Sequence, residues 1–565
     1  MTRFVVAALV ATLLPAGAAS AAGSFTFYGS GFGHGLGMSQ WGAYGLAQQG
    51  WSHDEILTHF FQSTKIAKAT NVPATLRIGL TQNRSKIRLE AQAGRVSLRA
   101  GDRKSGPLVG EIPRGATWKV VAAGSTYHVI DENGHQVGGD WGGPSRNLYA
   151  TYAGARVRVP EGGGTYARGH LEFNLYGCAN GSCVERLVLP IAVQDYLYGL
   201  SEVPSSWPMQ ALEAQAIAAR SYAFAKARYG QHRSPCNCAL YDTSVDQVYA
   251  GWAKEAGLDG DRWLSAVDRT DGRVVDYGGS VVEAFYTSSS GGYTENNENV
   301  WGGTPIPWLR GVCDPGDYTS ANPERVWQLT FDATGLTRRL RPYTGRIGTV
   351  EGFGAAQRGV SGRILTMQVN GSSGAAPISG TQLRAALGLP DDRVWINSDK
   401  NVTGAIRAKY DHLMCAPGLP TTPQSHVPGG ARQKFEVGAI YRNVGGAVTV
   451  WLKGPIYQEF VGTGGVSGPL GLPAATLVKI TGPTGCGGGG CARVGFDRGR
   501  IYWKSGVGAY GLWGPVLDTY LGHHAARGSL GFPTSRVSRS SDGSHSATFE
   551  HGVISCDAGG NCAVS

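Results

Sequence analysis

A chain with 86 glycines and 27 prolines seldom runs far without one, yet neither occurs from Met209 to Tyr229. That stretch, MQALEAQAIAARSYAFAKARY, is rich in Ala, the best helix former, and predicts a helix of about five turns. Ser205 or Ser206 can cap it, and Pro208 suits a first helical turn, where its missing N–H has no partner to lose. Leu212, Ala216, Ala219 and Ala223 form one small-residue stripe that lets another element approach closely. Glu213, Ile217, Arg220 and Phe224 form a second, with Glu213 and Arg220 two turns apart, too far for a single i,i+4 bridge. Glu202 stands just before the Ser-Ser-Trp-Pro turn at the mouth of this helix. It is a candidate general acid; the plainer alternative is a carboxylate favoured by the helix dipole.

The chain opens MTRFVVAALVATLLPAGAASAAGS, with one basic residue, a short apolar run and then Ala19-Ser20-Ala21. This pattern predicts a secretory signal over residues 1–22, cleaved after Ala21 or Ala22. Pro15 and the shortness of the run argue against a membrane span. Ten cysteines in an exported chain argue for disulfides. Cys178–Cys183, Cys486–Cys491 and Cys556–Cys562 are expected as close pairs. The first two bracket Gly- or Asn-containing turns, so each could staple a hairpin. The pairing of Cys236, Cys238, Cys313 and Cys415 stays open. His232, Cys236 and Cys238 are residue types that bind zinc. Cys-x-Cys is not the usual zinc spacing, however, and the compartment favours disulfides, one of them to Cys313.

The net charge of +10 is spread over 16% charged residues, with no Lys/Arg block that reads as a nucleic-acid surface. It reads as ordinary surface charge. With the glycines, 14 Trp and 24 Tyr suggest the loop-rich, aromatic-lined surfaces that carbohydrate needs.

Along the chain, GSGFGHGLGMSQWG surrounds His34 with glycines that let backbone approach closely. A short helix is expected over Met38–Gln48 and another from Asp54. His34 either holds this loop through backbone hydrogen bonds or meets a ligand. Residues 72–175 alternate in short runs (LRIGL, KIRLEA, GRVSLRA, TYHVIDE, ARVRV) that predict strands and a β-rich lobe. Beyond residue 404, APGLP, GPLGLP and GSLGFP recur at 416–420, 468–473 and 528–533. Each unit is short for an independent core, so neighbours are expected to close an array.

The EVP…W…ALEAQAIAARSYA pattern and the GHGLGMSQ segment resemble the SpoIID/LytB family of bacterial cell-wall proteins, across residues 25 to about 398. The recurring GLP/GFP motifs resemble LGFP repeats, a module of secreted, wall-associated actinobacterial proteins. In Bacillus-type members the Gly-rich segment follows the Glu region; here it precedes it. The resemblance implies an α+β SpoIID-like catalytic domain over 23–398 with a β-rich lobe, a possible insertion at 72–175, around a long central helix. A β-rich LGFP domain over 399–565 follows.

The resemblance further implies a secreted, wall-associated lytic transglycosylase acting on peptidoglycan glycan strands, with Glu202 as its acid and no cofactor. Stem-peptide-free strands are the implied substrate. His34, Ser39, Gln40, Arg220, Gln247, Tyr249, Ser289 and Tyr293 are candidates for glycan contact; for Ser39 the simpler role is a helix cap. Ser288, Ser289 and Ser290 make no recognisable nucleophile arrangement. Some family members carry a His/Cys metal site near His232. Two rival readings remain: a non-catalytic enhancer of a wall amidase, and a muramidase-type hydrolase. The hydrolase would recruit Asp195, Glu213, Asp242, Asp246 or Glu283 as a second acid.

Overall fold

A computed structural model describes residues 23–70, 72–483, 486 and 490–565; the expected signal segment lies outside them. The described chain is α+β. No helix in it is long and apolar enough to cross a membrane.

The first core gathers around one helix. In chain order α1 is Gln40–Gln48, α2 His53–Phe60, α3 Val193–Tyr198, α4 Met209–Tyr229, α5 Trp252–Glu255 and α6 Gly260–Arg269. α1, α2 and α6 all pack on α4. Both stripes of α4 are buried, Glu213 and Arg220 included, as befits a helix covered on nearly every side. The cap differs from expectation. Pro208 is the N-cap residue and makes no side-chain bond, and the N–H groups of Ala211 and Leu212 donate to its carbonyl. Neither serine caps because the turn before α4 is held from outside: Arg262 donates to the carbonyls of Ser205 (3.2 Å) and Trp207 (2.7 Å).

The strands expected over 72–175 are joined by Ser182–Ala192 and Leu240–Tyr241 in forming two sheets. One has seven strands in the order Leu240–Tyr241, Thr75–Arg84, Ser182–Ala192, Leu171–Ala179, Leu148–Thr151, Val96–Ala100 and Leu108–Ile112. The other has five, with Lys86–Ala93 between Arg156–Val159 and Thr117–Ala123. Their apolar faces belong to the same continuous core as α4. Residues 72–175 therefore pack into the same core as α4. Thr75–Arg84 pairs with the strand leading into α3, and burial on both sides fixes its register.

A second core is built from both ends of the 24–396 region. Strand Ser24–Gly29 lies antiparallel between Trp327–Asp332 and Val394–Ile396, burying Phe25 and Phe27 against Leu336, Leu340, Val369 and Leu383. This docking is what returns the N-terminal Gly-rich segment to the middle of the molecule. There Met38–Ser39 pairs in parallel with Tyr286–Thr287.

The repeats are three units of one helix and one four-stranded antiparallel meander. Their helices are Gly404–His412, Gly454–Gly462 and Gly514–Gly522, each preceding its G-x-P turn. An aromatic of each helix stacks on the Phe of a Phe-acid dipeptide: Tyr410 on Phe435 (5.3 Å), Phe460 on Phe496 (5.0 Å) and Tyr520 on Phe549 (4.6 Å). The acid then receives the backbone N–H of the G-x-P turn: Leu419 to Glu436 (2.9 Å), Leu472 to Asp497 (3.2 Å), Phe532 to Glu550 (2.8 Å). The recurring motif is thus an internal clasp. It also joins neighbours, since Asn443 of the first unit donates to Asp497 (2.8 Å) and Lys504 of the second to Glu550 (2.6 Å).

All ten cysteines are paired. The three close pairs are bonded as expected: Cys178 to Cys183, Cys486 to Cys491 and Cys556 to Cys562. Their settings differ from the expectation in part. Cys178 and Cys183 lie on the adjacent strands Leu171–Ala179 and Ser182–Ala192 and staple that hairpin. Cys556 and Cys562 face each other across the last hairpin of the chain. Cys486–Cys491 is not a hairpin staple, because Cys486 lies outside any strand and Cys491 begins the strand Cys491–Gly495. It instead ties the loop before that strand to the last core, which also holds Cys556 and partly buried Cys562; Cys183 belongs to the α4 core. Cys183, Cys491 and Cys562 therefore act as structural ties.

Cys236 bonds Cys238 and Cys313 bonds Cys415. This corrects the expectation of a bridge from the Cys236/Cys238 pair to Cys313. It also removes the zinc reading of His232, Cys236 and Cys238: both sulfurs are bonded to each other, and His232 meets Asn237 (2.6 Å). Cys313–Cys415 ties the first repeat to the preceding body, and Cys313 shares a core with Ile406, Tyr410, Phe435 and Ile440.

If the aromatic clasp holds each unit, Phe496→Ala removes a buried ring and leaves a cavity, at a cost of about 3–5 kcal/mol. Calorimetry of the full chain is expected to show a repeat transition at clearly lower temperature, with the transition of the α4 body unmoved.

Candidate active site

Glu202 lies on the loop between α3 and α4, a segment fixed from three sides. Leu200 bridges to Tyr249, and the Ser201 N–H donates to the Val248 carbonyl (2.8 Å). Lys254 donates to the Val203 carbonyl (2.6 Å), and Trp263 Nε1 to that of Leu197 (2.8 Å). Gly199 is required by packing, because a Cβ there would come within 2.5 Å of the Tyr249 ring. With its backbone held, the Glu202 side chain has a defined position.

The carboxyl is half-buried and has three donors. Its Oε1 accepts the Val248 N–H (2.7 Å), and the Tyr286 hydroxyl and Gln40 amide also donate to it. These donors favour the anion, but burial outweighs them and lifts the carboxyl above the ordinary carboxylate range. Each donor is itself placed by a buried partner. Gln247 donates to the Tyr286 hydroxyl (2.9 Å), accepts from Tyr196 (3.0 Å) and is anchored to the Ala219 carbonyl of α4 (3.3 Å). Because Gln247 fills an acceptor site on Tyr286, the phenol proton is directed at Glu202. Gln40 donates to Gln215 of α4 (3.3 Å) as well. Trp41, Tyr44 and Trp207 cluster beside this loop, with ring centres 4.8 and 5.1 Å from Trp207.

The Gly-rich segment supplies the second wall. Ser39 caps α1 by accepting the Gly42 N–H (3.0 Å), the plainer of its two expected roles, and donates to buried Asp317 (3.0 Å). His34 is a backbone clamp. Its Nδ1 accepts the Leu36 N–H (3.0 Å), and its other nitrogen faces the Tyr286 carbonyl. Burial, aided by Arg363 and Arg384, lowers its pKa to about 4, so the ring is neutral at ordinary pH. It therefore supports Tyr286 from behind. Gly35, at φ +75°, lies so close to the Arg363 guanidinium that a Cβ would approach it to 2.3 Å.

Several other candidates face elsewhere. Arg220 is buried and donates to the carbonyls of Val267 (3.2 Å) and Arg273 (3.1 Å), so it joins α4 to α6 and does not reach the cleft. Ser289 is fully buried and donates to Asp317 (2.9 Å). Tyr249 is buried in a stack with Tyr196 and Tyr166. Gln247 is equally buried and acts through Tyr286. The Tyr293 carbonyl receives Arg363 (3.0 Å), and its ring packs near the Cys313–Cys415 core. Of the candidates, Gln40 alone touches the Glu202 carboxyl directly. Tyr286 and the Val248 N–H went unnoticed in the sequence. Nothing local distinguishes Tyr286 among 24 tyrosines, and its role comes from pairing with Met38–Ser39, far away in sequence.

Four of the five possible partner acids pair with cations. Asp195 pairs with Arg168 (2.9 Å), Glu213 with His53 (3.0 Å) and Arg269 (2.8 Å), Asp246 with Arg233 (2.5 Å), and Glu283 with Lys226 (2.5 Å). Asp242 is lifted to about 7 by burial and lies by Tyr166. Among the described residues no group of three His, Cys, Asp or Glu side chains is arranged to hold a metal ion.

Comparison with known proteins matches the middle of this body and the repeats. The family model described as "Stage II sporulation protein" (SpoIID) matches residues 185–277, which hold the Glu202 loop and α4. The LGFP repeat model matches 418–468 and 479–528. A Bacillus subtilis protein named "Amidase enhancer" is 35% identical over 136 residues, 24% of this chain and 16% of that protein. "Stage II sporulation protein D" of Bacillus amyloliquefaciens is 29% identical over 224 residues, 38% of this chain and 62% of the relative. Its Bacillus subtilis counterpart is 29% identical over 231 residues, 38% and 64%. In each case the match spans less than two thirds of the relative's length. The chain carries a SpoIID domain built around Glu202 and α4, followed by LGFP repeats.

Proposed function

We propose that this protein is a peptidoglycan lytic transglycosylase with Glu202 as its acid and base. The observation that carries the reading is the Glu202 carboxyl, raised in pKa by burial yet surrounded by three donors ready for its anion. The protonated form gives its proton to the oxygen linking N-acetylmuramic acid to N-acetylglucosamine, and the C1–O bond breaks. The oxocarbenium-like centre is captured by the muramic acid's own C6 hydroxyl, whose proton returns to the Glu202 carboxylate. The product is a 1,6-anhydro end, and no water is consumed. Between the two steps the carboxylate is held by Val248, Tyr286 and Gln40, which is the use of donors that burial overrides in the resting state. A hydrolase of the usual kind needs a second carboxylate across the bond. Four of the acids considered for it pair with cations, and Asp242 lies beside Tyr166 and Tyr249.

A second reading is supported by the relative named amidase enhancer. In it the cleft binds glycan without cutting and the protein stimulates a wall amidase. The LGFP units suit attachment at the wall in either reading, and the disulfides suit an exported protein.

Mass spectrometry of purified glycan strands, with and without stem peptides, separates these readings. Anhydro ends are expected from the wild type, with stripped strands preferred. Glu202→Gln is expected to lose about 10²–10⁴-fold in rate, the usual contribution of a general acid–base group. Binding without cleavage would favour the enhancer, and reducing ends would favour a hydrolase.

The pH profile follows from the direction of the shift. The active protonated form is present below the raised pKa and is lost as pH rises through it, so activity is expected to fall on an alkaline limb above the ordinary carboxylate range. Tyr286→Phe removes a donor that favours the anion, so that limb is expected to move to higher pH while the rate at low pH drops.

A further inference from the structure

The clasp acid of the second and third repeats has a partner from the preceding unit: Asn443 for Asp497 and Lys504 for Glu550. The first repeat has no preceding repeat. Its acid, Glu436, binds the Leu419 N–H through one oxygen (2.9 Å), and among the described residues the other oxygen has no partner. Glu436 lines a cavity of about 740 Å³ bounded by this repeat and the preceding body.

The far wall of the cavity carries Arg358 and Lys400. Among the described residues neither has a carboxylate within ion-pair distance, whereas buried Arg363 and Arg407 do. Arg358 is held from behind by the carbonyls of Gly362 (2.5 Å) and Val394 (2.9 Å), and its guanidinium lies 5.2 Å from the Trp395 ring centre. It is therefore a fixed cation. Desolvation lowers Arg358 to about 10, so it stays charged at neutral pH, and desolvation together with Arg358 lowers Lys400. Two cations lining one groove with no carboxylate between them favour an anion there.

A second cavity of about 360 Å³ opens on the other side of the same pair, sharing Ala356, Arg358, Trp395 and Lys400 with the first. The cations thus stand at the middle of a groove longer than a single ion needs. The acids facing it are Glu436 at one end and Glu351 at the other, with Asp392 acting on Arg358 at longer range. The polarity along the groove is therefore acceptor, donor pair, acceptor.

We propose that this junction groove is a second saccharide site, which takes an acidic oligosaccharide with a sugar carboxylate between Arg358 and Lys400. The free oxygen of Glu436 accepts a hydroxyl of the neighbouring sugar, and the chain continues past Trp395 into the smaller cavity. Cys313–Cys415 and the shared core keep the two walls together, so the groove is set before binding. This site is separate from Glu202 and does not depend on the reaction assigned there.

The test is calorimetric titration of the full chain with trigalacturonate, with the neutral galactose trimer and with glycerol phosphate. Trigalacturonate is expected to bind, more weakly as salt is added, and the neutral trimer at least ten-fold less tightly. Arg358→Gln and Lys400→Gln are each expected to weaken trigalacturonate ten-fold or more. Lys400 is on the rim, so its variant is expected to keep the wild-type melting curve and tests the groove even if the Arg358 variant unfolds. Equal binding of the neutral trimer, unaltered binding by Lys400→Gln, or binding of glycerol phosphate alone would each overturn the proposal.

Discussion

The competition between burial and hydrogen bonding at the Glu202 carboxyl organises this molecule. Taking a carboxyl out of water favours its neutral form, and three donors aimed at it favour the anion. Here burial wins, but the donors stay in place. An acid that must give up a proton and then carry charge for a moment needs both conditions. Had the donors won, the carboxyl would lie below the ordinary carboxylate range.

Much of the architecture can be read as what it takes to hold those donors. Gln40 comes from the first segment of the chain, Val248 from the loop after α4, and Tyr286 from a two-residue strand beyond it. They converge because Ser24–Gly29 docks between strands from residues 327–396, which brings the Gly-rich segment back against Tyr286. α4 is the common support: Gln215 orients Gln40, and the Ala219 carbonyl anchors Gln247, which orients Tyr286. The small residues of α4 let α1 and α2 come close enough for this. The order of segments along the chain matters less than this closure, which explains how a Gly-rich segment at the front can serve a cleft built from the middle.

The sequence was most informative where local physics decides the outcome. A Gly- and Pro-free run became α4, alternating runs became strands, and Ser39 became a cap. Cysteines five or six residues apart bonded to each other, although Cys486–Cys491 closes a loop where a hairpin was expected. It was least informative about the partners of polar side chains. Arg220, Gln247 and Ser289 are polar residues close to the motif, and each satisfies buried groups of the protein itself. Sequence alone does not say whether such a group meets a backbone carbonyl or a sugar hydroxyl. Cys313–Cys415 spans 102 residues, and the loop it closes is invisible without the fold. The repeat motif announced itself by recurrence, but its clasp needed the stacked rings and the paired acids to be seen.

The direct measurement of the central claim is the titration of the Glu202 carboxyl itself. Infrared difference spectra between wild type and Glu202→Gln, taken across pH in the full chain, isolate its carbonyl stretch. A protonated carboxyl band is expected to persist above the pH at which ordinary carboxylates have ionised, and to extend to still higher pH in Tyr286→Phe. A carboxyl already ionised within or below the ordinary range would contradict this, and would leave Glu202 as an anchor for the Val248 loop.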